Sequence, residues 1–204
     1  MKEIFITSNS LTKHTETFYS VDSNWFQYFK EYKISFLPNN KKLLNNYLQS
    51  STPKVIILSG GGNIQSNKLS KEDFDPNREL VEESLIDFAI KENIPLIAVC
   101  RGMQKVITYL EKDVKFSKNK IKINESYNLN KCITNTSLLK GKRTCYNNYS
   151  IITSKTFENN WINLCIDKNN NILCAEHRNR KILTFMWHPE RDFSDLKIIK
   201  SFLD

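Results

Sequence analysis

The sequence predicts an α/β fold: a doubly wound, mostly parallel sheet flanked by helices. Three observations predict it. Short apolar runs alternate with helical patterns through the first half of the 204-residue chain, which calls for right-handed crossovers between neighbouring strands. The run at residues 54–58 is continuously apolar after its first residue, as in strands buried on both faces of a parallel sheet. Gly60-Gly61-Gly62 and Cys100 each follow such a run, where sheets of this kind place their sites.

The elements follow in order. Residues 3–8 read as a strand. Asp22 is placed to cap a helix carrying Trp25, Phe26, Phe29 and Tyr32 at helical intervals. A second strand at 33–37 is stopped by Pro38-Asn39-Asn40, and 41–49 form a short helix. The strand at 54–58 ends in Ser59-Gly60-Gly61-Gly62-Asn63, followed by a polar loop. A helix is predicted from about Arg78 to Lys91, with Leu80, Val81, Leu85, Ile86, Phe88, Ala89 and Ile90 as its apolar positions.

Ile94-Pro95-Leu96 then leads into the strand Ile97-Ala98-Val99, and a helix is predicted over 104–111. The second half is less regular. Residues 112–135 and 144–175 read as short strands and turns, with a hairpin-like break at 167–171. A buried strand at 182–187 and a helix at 192–203 complete the pattern. With no internal repeat and no linker composition, residues 1–204 read as a single domain.

Composition narrows the function classes. No apolar run approaches the roughly 20 residues needed to span a bilayer. The N-terminal Met1-Lys2-Glu3-Ile4-Phe5-Ile6-Thr7 turns polar too quickly for a signal peptide, so a cytoplasmic location without membrane association is expected. Five cysteines without paired spacing argue against a disulfide framework. Cys132, Cys145, Cys165 and Cys174 are expected reduced and partly buried. Three scattered histidines offer no ligand cluster, so no metal is expected. The net charge of +8 is spread in short stretches such as Lys118-Asn119-Lys120-Ile121-Lys122, without aromatic interleaving. No nucleic-acid partner is expected, but a basic surface helps to draw in an anionic small substrate.

The chemistry centres on Cys100. A cysteine between a strand and a helix, with Gly102 where the backbone crowds, fits a strand–nucleophile–helix turn. Its thiolate is the reactive form, favoured by a helix N-terminus and a nearby imidazole. His188-Pro189-Glu190 lies 88 residues on, again just after an apolar run. His188 suits a general base to the thiol and general acid to a leaving amine, and Glu190 suits the group that orients it. His14 and His177 read as ordinary surface or core residues. The glycine run is not a phosphate loop, because no Gly-Lys-Ser/Thr follows. Its N–H groups, with that of Arg101, suit a tetrahedral oxyanion.

Leu58-Ser59-Gly60-Gly61-Gly62-Asn63, Val99-Cys100-Arg101-Gly102-Met103-Gln104 and Trp187-His188-Pro189-Glu190-Arg191 together resemble the motifs of class I glutamine amidotransferase-like proteins. The pattern is similar to stand-alone γ-glutamyl hydrolases, among them γ-glutamyl-γ-aminobutyrate hydrolase. The resemblance implies a flavodoxin-like fold and a triad of Cys100, His188 and Glu190. It implies an oxyanion hole from Gly61 and Arg101, with Gln104 at the glutamyl head group. Gly62, Tyr146 and Asn147 are carried as further substrate-binding residues.

Two positions depart from the family. Ala98 stands where Gly is usual two residues before the nucleophile. Cys145-Tyr146-Asn147-Asn148-Tyr149 stands where a Ser-x-His segment is common, with Asn in place of His beside the substrate pocket. Arg78-Glu79 resembles an Arg–acid pair, balanced between a surface helix start and a pocket role.

The implied activity is cysteine-dependent hydrolysis of a γ-glutamyl amide through a thioester, releasing glutamate without cofactor. Short members with this Trp-His-Pro-Glu-Arg ending resemble γ-glutamyl-CDP-amidate hydrolases, which serve capsular phosphoramidate synthesis. The alternative is a glutaminase subunit that passes ammonia to a separate synthase chain. A non-catalytic binding protein would have no reason to keep all three triad residues.

Overall fold

The computed structural model describes residues 2–65, 74–118, 126–129, 132–134 and 136–204. Its first half runs β1 (Glu3–Thr7), β2 (Asn9–Lys13), β3 (Glu16–Ser20), α1 (Asn24–Tyr28), β4 (Lys33–Leu37), α2 (Lys41–Ser50), β5 (Val55–Leu58), α3 (Pro76–Lys91), β6 (Leu96–Val99) and α4 (Arg101–Leu110). The second half runs β7 (Lys115–Lys118), β8 (Ser126–Asn128), β9 (Ile133–Thr134), β10 (Lys142–Thr144), β11 (Tyr149–Ile152), α5 (Lys155–Asn160), β12 (Trp161–Ile166), β13 (Ile172–His177), β14 (Ile182–Phe185) and α6 (Leu196–Leu203).

Eight strands form one sheet in the order β4-β1-β5-β6-β14-β13-β12-β9. The five from β4 to β14 are parallel, and the pairings from β14 through β13 and β12 to β9 are antiparallel. The chain runs from β1 out to β4, then returns to β5 on the other side of β1. Such a switch opens a crevice at the carboxyl ends of the strands. β1, β5, β6 and β14 are buried along their whole length, matching their apolar runs.

Several boundaries differ from the sequence expectation. α1 stops at Tyr28 instead of continuing to Tyr32. Its aromatics fold into one cluster, with Trp25 stacked on Phe29 and Tyr28 edge-on to both. Ser23 holds the cap position there, while Asp22 accepts from the Asn24 N–H (3.0 Å) and from Arg191 (2.9 Å). α3 starts at Pro76 because Asp75 accepts the N–H groups of Asn77 and Arg78. α4 starts at Arg101, directly after the turn at Cys100, where the sequence expectation is 104.

The β2–β3 hairpin lies outside the expected elements. Its turn is made by His14 and Thr15 at φ 58° and 135°, without the Asn-Gly type of signal that marks a tight hairpin. Beyond Lys118, the rest of the basic run, 119–122, lies outside the described residues. No helix among the described residues is long and apolar enough to cross a membrane.

Candidate active site

Cys100 sits at the junction of β6 and α4, with its N–H bonded to the Phe185 carbonyl of β14 at 2.7 Å. Its backbone is at φ 53°, ψ −108°, a region that costs a non-glycine residue about 1–3 kcal/mol and persists only where the surroundings enforce it. Gly102 allows the turn to close: a Cβ there would lie 2.3 Å from the Leu58 carbonyl oxygen, so α4 begins flush against the end of β5. Ala98, where glycine is usual, lies fully buried inside β6.

His188 follows β14, and Glu190 lies on the short 3₁₀ turn Pro189–Arg191. His188 Nδ1 and Glu190 Oε1 are 2.6 Å apart, and the carboxylate is buried. The other edge of the ring faces Gly60 and hydrogen-bonds Cys100. Burial alone would push the His188 imidazole down. The hydrogen bonds and negative charge of Cys100 and Glu190 outweigh it and hold the group raised, at about 9.

The glycine loop is shaped from behind. Gly61 and Gly62 have φ of 89° and 75°, which glycine adopts without steric cost. Arg78, buried on α3, donates to the carbonyls of Ser59 (2.6 Å), Gly60 (3.1 Å) and Gly61 (2.8 Å). Its Nε meets Glu82 Oε1 at 2.8 Å, and Glu82 Oε2 pairs with Arg101 Nη1. Arg101 also reaches Glu79 (3.0 Å) and the Asn63 carbonyl (3.1 Å), while Lys105 bridges Glu79 and Glu83. Burial would raise the Glu82 carboxyl, but Arg101 and Arg78 hold it below the ordinary range. The Gly61 and Arg101 N–H groups carry no hydrogen bond among the described residues.

A cleft of about 400 Å³ gathers Gly61, Gly62, Cys100, Arg101, Gln104, Tyr146, Asn147 and His188. Every site residue expected from the sequence therefore lines one space, apart from Glu190 behind the histidine. Gln104 and Asn147 both donate to the Tyr149 carbonyl, at 2.7 and 2.8 Å, and Asn147 also donates to Ser150 at 2.9 Å. Their side-chain N–H groups thus brace the cleft wall. Tyr146 is half exposed at the rim, edge-on to His188.

A second cleft of about 250 Å³ lies along the hairpin and α1 and also reaches His188. Arg191 borders both clefts, with its guanidinium 5.2 Å from the centre of the Tyr146 ring. Sequence reasoning missed Glu82 altogether. It lies one helical turn after Arg78, and that i,i+4 pairing was the available signal. Among the described residues, no group of three His, Cys, Asp or Glu side chains is placed to hold a metal.

The fold resembles a candidate GMP synthase subunit from Thermoplasma acidophilum. That match has a TM-score of 0.65 and 16% identity, covering 100% of this chain and 92% of that one. A glutamine amidotransferase from Thermotoga maritima matches with a TM-score of 0.58 and 12% identity, over 98% of this chain and 82% of that one. In sequence, the chain is 29% identical over 153 residues to the γ-glutamyl-CDP-amidate hydrolase of Campylobacter jejuni, covering 72% of this chain and 68% of that protein. The model of the family glutamine amidotransferase class-I matches residues 15–203. With nearly the whole chain matched, the protein belongs to the class I glutamine amidotransferase family.

Proposed function

We propose that the protein hydrolyses a γ-glutamyl amide, with Cys100, His188 and Glu190 as its catalytic triad. The observation that carries this is the shared cleft: Cys100 hydrogen-bonded to a His188 that Glu190 orients, beside the open N–H groups of Gly61 and Arg101. The Cys100 thiolate attacks the γ-carbonyl carbon, and the carbonyl π electrons move to oxygen. The oxyanion takes hydrogen bonds from Gly61 and Arg101. As it collapses, the C–N bond breaks and the His188 imidazolium gives its Nε2 proton to the departing nitrogen. Water then attacks the thioester, returning a proton to His188 and the sulfur to its thiolate, and glutamate leaves.

The proposed substrate is γ-glutamyl-CDP-amidate, with the released amidate serving capsular phosphoramidate synthesis. The Campylobacter jejuni relative supports the substrate. So does Arg191, a half-exposed cation that lines both clefts while pairing with Asp22, whereas the Arg101 guanidinium is buried against Glu79 and Glu82. A guanidinium at the position of Arg191 suits a phosphoryl group on the departing nitrogen.

The test is glutamate release by the purified protein alone, against L-glutamine and a panel including γ-glutamyl-CDP-amidate, with Cys100→Ala as control. Turnover of the conjugate in preference to glutamine supports a stand-alone hydrolase. Turnover of neither by a folded protein overturns that reading in favour of a partner-dependent glutaminase.

A further inference from the structure

We propose that Arg78, Glu82 and Arg101 form one buried positioning device that aims both oxyanion donors into the cleft. The proposal rests on the acyl-transfer reading above. It concerns side chains that touch no reacting atom.

The argument starts from the peptide bond. A trans peptide is planar, so its C=O and the following N–H point in opposite directions. Arg78 holds the Gly60 carbonyl at 3.1 Å and the Gly61 carbonyl at 2.8 Å. The N–H groups of Gly61 and Gly62 are thereby turned to the opposite side of the loop. Both residues line the cleft with Cys100. Their positive φ values leave the peptides free to flip unless something behind holds them. Asn9 helps, taking Arg78 Nη1 on its Oδ1 at 3.1 Å and packing against the Cα of Gly61.

The second donor is the backbone N–H of Arg101, and that residue's own side chain is the other arm. Its guanidinium reaches back to α3 and to the Asn63 carbonyl. Glu82 joins the arms, with one oxygen on Arg78 and the other on Arg101. Glycine loop and elbow helix are therefore registered against one carboxylate that is 0% exposed. Buried ion pairs stabilise a fold weakly, because desolvation offsets most of the attraction. A structural role alone would be met as well by apolar packing, whereas fixing three carbonyls of a glycine loop requires a rigid fork of donors.

The experiment compares Arg78→Lys with wild type. Lysine keeps the buried charge but lacks the fork. Two rates are measured: turnover of γ-glutamyl-CDP-amidate or the best γ-glutamyl amide, and alkylation of Cys100 by iodoacetamide. Alkylation is a displacement at carbon that forms no oxyanion. The expected result is a kcat lower by about 10²–10³-fold, with KM and the alkylation rate within about 3-fold of wild type.

Unchanged kcat overturns the proposal. So does an equal fall in both rates, which means that the nucleophile itself has collapsed. Absence of wild-type turnover on every γ-glutamyl amide overturns the function reading and this proposal together, an outcome distinct from either of those. If Arg78→Lys does not fold, Asn9→Ala loosens the same loop while every buried charge stays in place, Arg78 losing one of its several hydrogen bonds. It is expected to lower kcat by about 5-fold, again with unchanged alkylation, and unchanged kcat there overturns the proposal.

Discussion

Gly60 stands directly against His188: a methyl group on its Cα would lie 2.5 Å from the ring carbon Cε1 and 3.4 Å from Cys100 Cβ. The imidazole therefore rests on a backbone that only glycine can present. Gly60→Ala is expected to displace the ring and lower kcat/KM by about 10²-fold, as small misplacements of reacting groups do. The apolar core is untouched, so Tm should move little. Wild-type activity in this variant would mean that the ring has room to shift.

Cys100→Ala is expected to abolish turnover and leave the fold intact. The side chain is nearly buried but small, and the thiol contributes little packing. Far-UV circular dichroism and glutamate release measured on the same sample check both halves. Residual turnover above a few per cent of wild type would remove the thioester.

The pH profile follows from His188. Its raised value, about 9, means that the imidazolium prevails at neutral pH and is lost as pH rises through that value. Activity that needs the imidazolium should have its alkaline limb near pH 9. The same group contributes stability that is full below its ordinary value of 6.5 and is lost as pH climbs to about 9. Glu190→Gln removes one of the groups holding the value up, so the alkaline limb should move to lower pH. The rate at neutral pH should fall less than in Cys100→Ala. A limb that stays in place would remove Glu190 from contact with the imidazole.

Gly102→Ala tests the elbow from its other side. The added methyl would meet the Leu58 carbonyl oxygen at 2.3 Å, a backbone atom with no freedom to move. A loss of about 2 kcal/mol is expected, read as a lower Tm and a lower denaturation midpoint. A neutral substitution would show that α4 tilts away from β5 without cost.

Arg191→Gln tests the leaving-group side. The expected result is a kcat/KM for γ-glutamyl-CDP-amidate lower by about 10–100-fold, with glutamine turnover changed by less than about 3-fold. Equal losses on both substrates would assign Arg191 to holding Asp22 alone.

The sheet was legible because its strands carry their burial in their composition. Ile56, Ile57, Ile97 and Leu183 are fully buried, and each stands in an uninterrupted apolar run. The strand–turn–helix at Cys100 was legible because that residue is flanked by a strand pattern and Gly102. α3 was legible as a helix, and Val81, Leu85, Ile86 and Ala89 of its apolar pattern are buried, but its charged inner face was not: Leu80 is about half exposed while Arg78, Glu79 and Glu82 are buried. Only tertiary partners on α4 and the glycine loop make that charged face an inner one. The hairpin was hidden because a two-stranded ribbon with Leu11, Phe18 and Tyr19 exposed has no core-facing alternation to detect.

That hairpin meets the glycine loop through Asn9 and borders the second cleft with Asn9 and Ser20. It pairs with none of the eight strands that carry the cysteine and the histidine. Beyond Asn9, selection can therefore lengthen, shorten or recolour this ribbon while Cys100 and His188 keep their seats. Under the proposed function, a relative with a different ribbon is expected to accept an amide of a different amine.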